Sequence, residues 1–331
     1  MKKVYIIYIF KKCVLSGKLI QVKNVTKKYG RFRALRDASF TACKGEIHAV
    51  LGPNGAGKTT MFRCILGLLN FEGSITVDGT DVRKGGKWIR DQVGYLPQHS
   101  SPYDDMTVEE NLQFYAGLKR IPKSRVEESL KEIRLTRFRE RKAGALSGGM
   151  KQRLMLGISQ LSDPPILILD EPTANLDVQG QLEFRTLLGE ILEKGKCVLV
   201  STHLLREAHE IRLFKGHVLV VNKGRVVQAG GVEDFMKDAK LRDHLFIDAG
   251  KNKAKDMLKV VLDAGFSDAE IHKEQIVVSC DHGDKFEMLK KLNDSGFTPN
   301  SFRVEEPSLE KAFMQMTSSK LEDTISKKRS D

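Results

Sequence analysis

Eight residues constrain the fold of this chain more than any others: Gly52-Pro53-Asn54-Gly55-Ala56-Gly57-Lys58-Thr59. They follow an apolar strand pattern at Glu46–Leu51. They precede Met61, Ile65, Leu68 and Leu69, whose spacing predicts a helix from Lys58 to about Leu69. The run fits G-x-x-x-x-G-K-[ST] in the strand–loop–helix context that a phosphate-binding loop needs. Glycines let successive backbone N–H groups converge on one centre, and the helix adds its positive N-terminus. Lys58 supplies a mobile cation for terminal phosphates, and the Thr59 hydroxyl can hold Mg²⁺. A chance glycine turn would not bring both flanking elements with it.

A second apolar run, Ile166-Leu167-Ile168-Leu169, ends in Asp170-Glu171. Four consecutive apolar residues suit a parallel strand covered on both faces. Alone, two acids after such a run often mark only a strand leaving the core. Coupled to a phosphate loop, Asp170 is placed to orient a Mg²⁺ shell and Glu171 to polarise an attacking water. A third feature, Leu146-Ser147-Gly148-Gly149-Met150, opens another helix whose N–H groups and hydroxyl face an anion.

Together these motifs resemble the nucleotide-binding subunit of an ATP-binding cassette (ABC) transporter; kinases and GTPases with a phosphate loop lack the second serine–glycine motif. The resemblance covers roughly Leu19 to Val232. It implies an α/β fold: a P-loop NTPase core with an antiparallel β subdomain and a helical subdomain at about 99–162. It also implies ATP and Mg²⁺ as cofactors. The phosphate contacts extend through Thr60, and Ser147, Gly148 and Gly149 face a nucleotide held by the opposite subunit. Gln98, in Gly94-Tyr95-Leu96-Pro97-Gln98, resembles the loop residue that senses Mg²⁺ and water. His203, after Val200-Ser201-Thr202, resembles the switch histidine at the γ-phosphate. Asp177, in Asn175-Leu176-Asp177, resembles the loop that crosses the dimer interface and doubles as a helix cap. Tyr29 resembles the aromatic that stacks on adenine. Met150 departs from the glutamine of many members, a substitution also found in the exporter-like branch.

One phosphate loop and one signature per chain imply head-to-tail pairing with a second ABC ATPase subunit, most simply another copy. The resemblance also implies a separate polytopic membrane permease and a place on the cytoplasmic face of the membrane. Glu306-Pro307-Ser308-Leu309-Glu310-Lys311-Ala312-Phe313 resembles the closing segment of ABC-2 ATPases, a branch of antibiotic, sodium and multidrug exporters. The competing reading is a soluble cassette ATPase acting on nucleic acid or ribosomes. Translation-type members carry two cassettes in one chain, and chromosome-organising members insert long coiled coils; this chain does neither, so no nucleic-acid partner is expected.

Net charge alone invites that competing reading: 55 basic against 43 acidic residues give +12. Five lysines (Lys2, Lys3, Lys11, Lys12, Lys18) sit in residues 1–18 with no acid among them, so five of the twelve excess charges belong to a basic leader expected to be flexible. The rest suits an ATP-binding protein beside an anionic membrane. The longest unbroken apolar run, Val4–Phe10, falls far short of the roughly 20 residues of a membrane helix. Five scattered cysteines without a C-x-x-C pair argue against a disulfide framework or a zinc site, Cys280-Asp281-His282 included.

Beyond residue 232 the predicted order is β-α-β-β-α-β, a small ferredoxin-like α+β domain at 233–317. Its strands are read at His244–Asp248, Ala269–His272, Ile276–Ser279 and Phe302–Glu305, with helices at Lys253–Ala264 and Lys285–Asn293. A last helix at Ser308–Met316 and a polar tail at 318–331 close the chain.

Overall fold

Three apolar runs form the middle of a six-stranded sheet. Strands β3 (Ile47–Leu51), β7 (Ile166–Asp170) and β8 (Cys197–Thr202) are buried along their whole length, as parallel strands covered on both faces must be. With β6 (Val93–Leu96) and β9 (His217–Asn222) they pair in parallel, and β10 (Arg225–Gly231) closes the edge antiparallel, in the order β10-β9-β3-β8-β7-β6. A second, antiparallel sheet runs β2-β1-β4-β5, from β1 (Lys18–Tyr29), β2 (Phe32–Cys43), β4 (Glu72–Val77) and β5 (Thr80–Asp81). Helix α1 (Lys58–Ile65) joins the two. Its Met61, Phe62 and Ile65 share one core cluster with Ile20 and Val22 of β1 and with Ile168 and Leu199 of the central sheet.

These coordinates come from a computed structural model that describes residues 17–204, 214, 216–231, 242–250, 253–272, 275–280 and 284–305. The leader up to residue 16, Asp281 and His282, the Glu306–Phe313 segment, the helix expected at Ser308–Met316 and the tail lie outside the described residues. The chain divides into two compact units, Met1–Phe235 and Met236–Asp331.

Helix α1 ends four residues before the apolar pattern does. Gly67 takes a left-handed φ of 67°, its N–H bonds to Cys64 O, and the Leu68 N–H reaches back to Arg63 O. That pair of bonds is a Schellman cap, which satisfies the last carbonyls and turns the chain away. Leu68 and Leu69 therefore lie beyond the helix.

Helix α2 (Val82–Gln92) precedes β6. Between β6 and β7 come α3 (Val108–Lys119), α4 (Lys123–Glu132), two short 3₁₀ turns and α5 (Gly148–Gln160); α6 (Val178–Glu193) follows β7. Thr107 caps α3 in a reciprocal box: its Oγ1 accepts from Glu110 N at 3.1 Å, and Glu110 Oε2 accepts from Thr107 N at 2.7 Å. Thr107→Ala should cost about 1 kcal/mol of stability, read as a shift in the urea midpoint. An unshifted midpoint would remove the cap from the account.

In the second unit, β11 (Asp243–Asp248), α7 (Ala254–Asp263), β12 (Glu270–His272), β13 (Gln275–Cys280), α8 (Asp284–Asp294) and β14 (Ser301–Glu305) follow in that order. Their antiparallel sheet is ordered β12-β13-β11-β14. Leu245, Ile247, Ile276 and Val278 pack with Met257, Val261, Met288 and Leu292 of the two helices. Among the described residues no helix is long and apolar enough to cross a membrane.

Candidate functional site

The chain leaves β3 at Leu51 into a loop whose glycines are demanded by sterics. A Cβ on Gly52 would lie 2.3 Å from Val221 O. One on Gly57, which has φ of 110°, would lie 2.6 Å from Ala34 O. Backbone from β2 and β9 therefore presses on the loop from two sides. The β9–β10 turn adds a third restraint, because Gly224 N donates to Ala56 O at 2.9 Å. Lys58 folds back over the loop, and its Nζ donates to Gly52 O at 2.7 Å and to Pro53 O at 3.4 Å.

Residues chosen singly from the sequence meet at one carboxylate. Glu171 Oε1 pairs with Lys58 Nζ at 3.2 Å, and both side chains are only 6% exposed. Glu171 Oε2 accepts from Gln98 Nε2 at 2.9 Å and lies 3.2 Å from His203 Nδ1. Four separate segments thus converge on Glu171: the phosphate loop, the turn after β6, the end of β7 and the turn after β8. Glu171 itself has a left-handed φ of 48°, which a residue with a Cβ adopts only when its surroundings hold it there.

Asp170 is fully buried beside it. Its Oδ1 accepts from Ser201 Oγ at 2.5 Å, while Oδ2 is buried with no hydrogen-bond partner. A buried carboxylate oxygen without a donor is costly, and an oxygen donor left open in this way fits a hard cation such as Mg²⁺. The charge of Asp170 is also felt by Tyr95: burial first, then that charge, pushes the Tyr95 phenol above its ordinary value.

Ser147 and Asp177 belong to a second cluster. Ser147 caps α5, its Oγ accepting from Met150 N at 3.3 Å, and Asp177 caps α6, its Oδ1 accepting from Gly180 N at 2.8 Å. The two helix starts meet at glycines: a Cβ on Gly149 would lie 3.5 Å from Gly180 Cα. Ser147 and Gly148 are exposed, so the first turn of α5 offers its N–H groups outward. Tyr29 stands apart at the end of β1, paired with Phe32 across the β1–β2 turn. It is 45% exposed, and the Lys27 ammonium lies 5.0 Å from its ring centre.

Ser201, Val221 and Gly224 are not among the site residues expected from the sequence. Ser201 carries one legible signal, being a polar residue directly after the apolar run Cys197–Val200. Val221 and Gly224 act through backbone atoms, which no side-chain pattern reports.

A phosphate loop at the end of a central parallel strand, with two acids at the end of another strand one place further along the same sheet, defines a nucleotide-binding protein of the P-loop class. Residues 35–174 match the family model for ABC transporter proteins. The ATP-binding protein NatA of Bacillus subtilis is 34% identical over 221 residues, covering 65% of this chain and 89% of NatA. The daunorubicin resistance protein DrrA3 of Streptomyces coeruleorubidus is 30% identical over 312 residues, covering 92% and 97%. YbhF of Escherichia coli, a probable multidrug ABC transporter ATP-binding protein, is 34% identical over 222 residues; the chain spans only 38% of its length. Among solved structures, the ATP-binding subunit of an ABC transporter superposes with a TM-score of 0.59 at 31% identity, covering 66% of this chain and 92% of the other. A dimeric bacterial ABC transporter cassette gives 0.57 at 29% identity, covering 65% and 99%. The chain belongs to the ABC transporter ATP-binding proteins.

Proposed function

We propose that this chain binds and hydrolyses Mg-ATP as one of two subunits that drive a separate membrane permease, in the manner of an exporter. The observation that carries the reading is the convergence of Lys58, Gln98 and His203 on Glu171, which puts a phosphate-directed cation, two polar sensors and a base candidate at one point. In the proposed step a water attacks the γ-phosphorus, Glu171 takes its proton, and the bond to the bridging oxygen breaks to give ADP and phosphate. Lys58 and the loop N–H groups hold the phosphates. Thr59, Asp170 and Gln98 would hold Mg²⁺, which would supply positive charge against the negative charge that develops on the phosphates. Such an ion is usually bound through one or two carboxylates plus phosphates and water, and the open Oδ2 of Asp170 suits that role.

Two chains would sandwich two nucleotides, each between the phosphate loop of one and the Ser147–Gly149 helix start of the other. The outward N–H groups of that start and the dimeric relative support this arrangement. Tyr29 is the adenine platform in this scheme. Tyr29→Ala should weaken binding of a fluorescent ATP analogue about tenfold, from about 1–3 kcal/mol of stacking per base, while Tyr29→Phe keeps it. Equal affinity for all three would place the base elsewhere.

Relatives named for drug resistance favour the exporter branch, and work on a separate permease puts the chain at the cytoplasmic membrane face in this scheme. The second unit is read as ferredoxin-like: its β-α-β-β-α-β order and sheet order β12-β13-β11-β14 support that topology. Affinity purification of the full chain from its own membranes tests the scheme. A polytopic membrane protein is expected to co-purify, with ATPase activity that rises on its addition. Ribosomes or DNA in its place would overturn it.

A further inference from the structure

One buried hydroxyl serves both acids of the site. Ser201, on β8, is fully buried and lies directly opposite Asp170 of β7 in the parallel register. Its Oγ donates to Asp170 Oδ1 at 2.5 Å and accepts from the backbone N–H of Glu171 at 2.9 Å. A hydroxyl has one proton and two lone pairs, so its only donor is committed to Asp170 and one acceptor position to Glu171.

Each bond has a separate consequence. With Oδ1 fixed, the Asp170 carboxylate cannot rotate freely, and the oxygen left without a partner is Oδ2. With its N–H tied, Glu171 is held in the left-handed conformation (φ 48°) from which its side chain meets Lys58, Gln98 and His203. Neighbouring Thr202 cannot substitute, since its hydroxyl faces the following turn and accepts from Leu204 N at 2.9 Å.

We propose that Ser201 is a positioning residue that sets the metal-directed oxygen of Asp170 and the backbone of Glu171 together. The proposal rests on the reading of Asp170 as the Mg²⁺ carboxylate. Outer-shell partners of metal-binding carboxylates typically change metal affinity 10–100-fold when removed.

The test is equilibrium binding of a fluorescent ATP analogue to the full chain, first in EDTA and then along a Mg²⁺ titration. For Ser201→Ala, affinity in EDTA should equal wild type while the Mg²⁺ midpoint rises about tenfold or more. Ser201→Thr, which keeps the hydroxyl, should return the midpoint towards wild type. Ser201→Cys fills the same space with a weak donor and is read in the same way where the alanine variant does not fold. A wild-type midpoint, or an equal loss with and without Mg²⁺, overturns the proposal. Asp170→Ala separates the two layers, because it should abolish the Mg²⁺ response. An intact response in that variant overturns the metal reading and the Ser201 proposal with it. An abolished response beside a normal Ser201→Ala midpoint overturns the Ser201 proposal alone.

Discussion

Glu171→Gln is expected to keep wild-type affinity for ATP while turnover falls by about 10²–10⁴-fold, the range for loss of a general base. The amide has nearly the shape of the carboxylate, so the neighbours at Gln98 and His203 need not move. What changes is charge. In the wild type Lys58 Nζ is shared between Glu171 Oε1 and the loop carbonyls of Gly52 and Pro53. A neutral amide releases the ammonium from that ion pair and leaves it more available to phosphate. Binding should therefore hold or tighten even as chemistry stops. In the two-subunit scheme the arrested state is the ATP-bound pair, so gel filtration with Mg-ATP should show a dimer that persists in the variant and is transient in wild type. Turnover at the wild-type rate would mean that another group accepts the proton.

How much of this site could be read in the residues depends on which atoms do the work. Side-chain chemistry at fixed spacing is readable: Lys58, Gln98, Glu171 and His203 each stand in a short motif that marks them without any contact between them. Backbone work is not. The close approach of Val221 O to Gly52, and of Gly224 N to Ala56 O, comes from the end of β9 and the turn after it, far along the chain from the loop. Periodicity failed for definite reasons as well. It overran α1 because Leu68 and Leu69 continue the apolar spacing past a Schellman turn at Gly67. It offered nothing for α2, where Gly86 breaks the helical backbone with φ 43° and ψ −114°. Strand β6, four residues long, is too short to display a period of two.

Lys58→Met should reduce ATP affinity by more than tenfold and bring turnover to background, and it should also destabilise the protein. The first two effects follow from losing the side-chain cation that holds the phosphates in the proposed scheme, next to Glu171. The third follows from burial. Lys58 and Glu171 are both 6% exposed at the side chain, so removing the ammonium leaves a carboxylate in the interior with, among the described residues, only Gln98 and His203 to stabilise it. Breaking one side of a buried pair costs about 3–5 kcal/mol, more than the pair itself contributes, because the residual charge has lost its solvation and its partner. That asymmetry gives a sharper measurement than the single variant. If stranded charge is the cause, Lys58→Met combined with Glu171→Gln should be more stable than Lys58→Met alone, recovering most of the loss in urea unfolding. Residues in contact should show such non-additivity in a double-mutant cycle. Strictly additive losses would mean that Lys58 stabilises the loop through Gly52 O and Pro53 O alone, and that its contact with Glu171 contributes nothing to the fold.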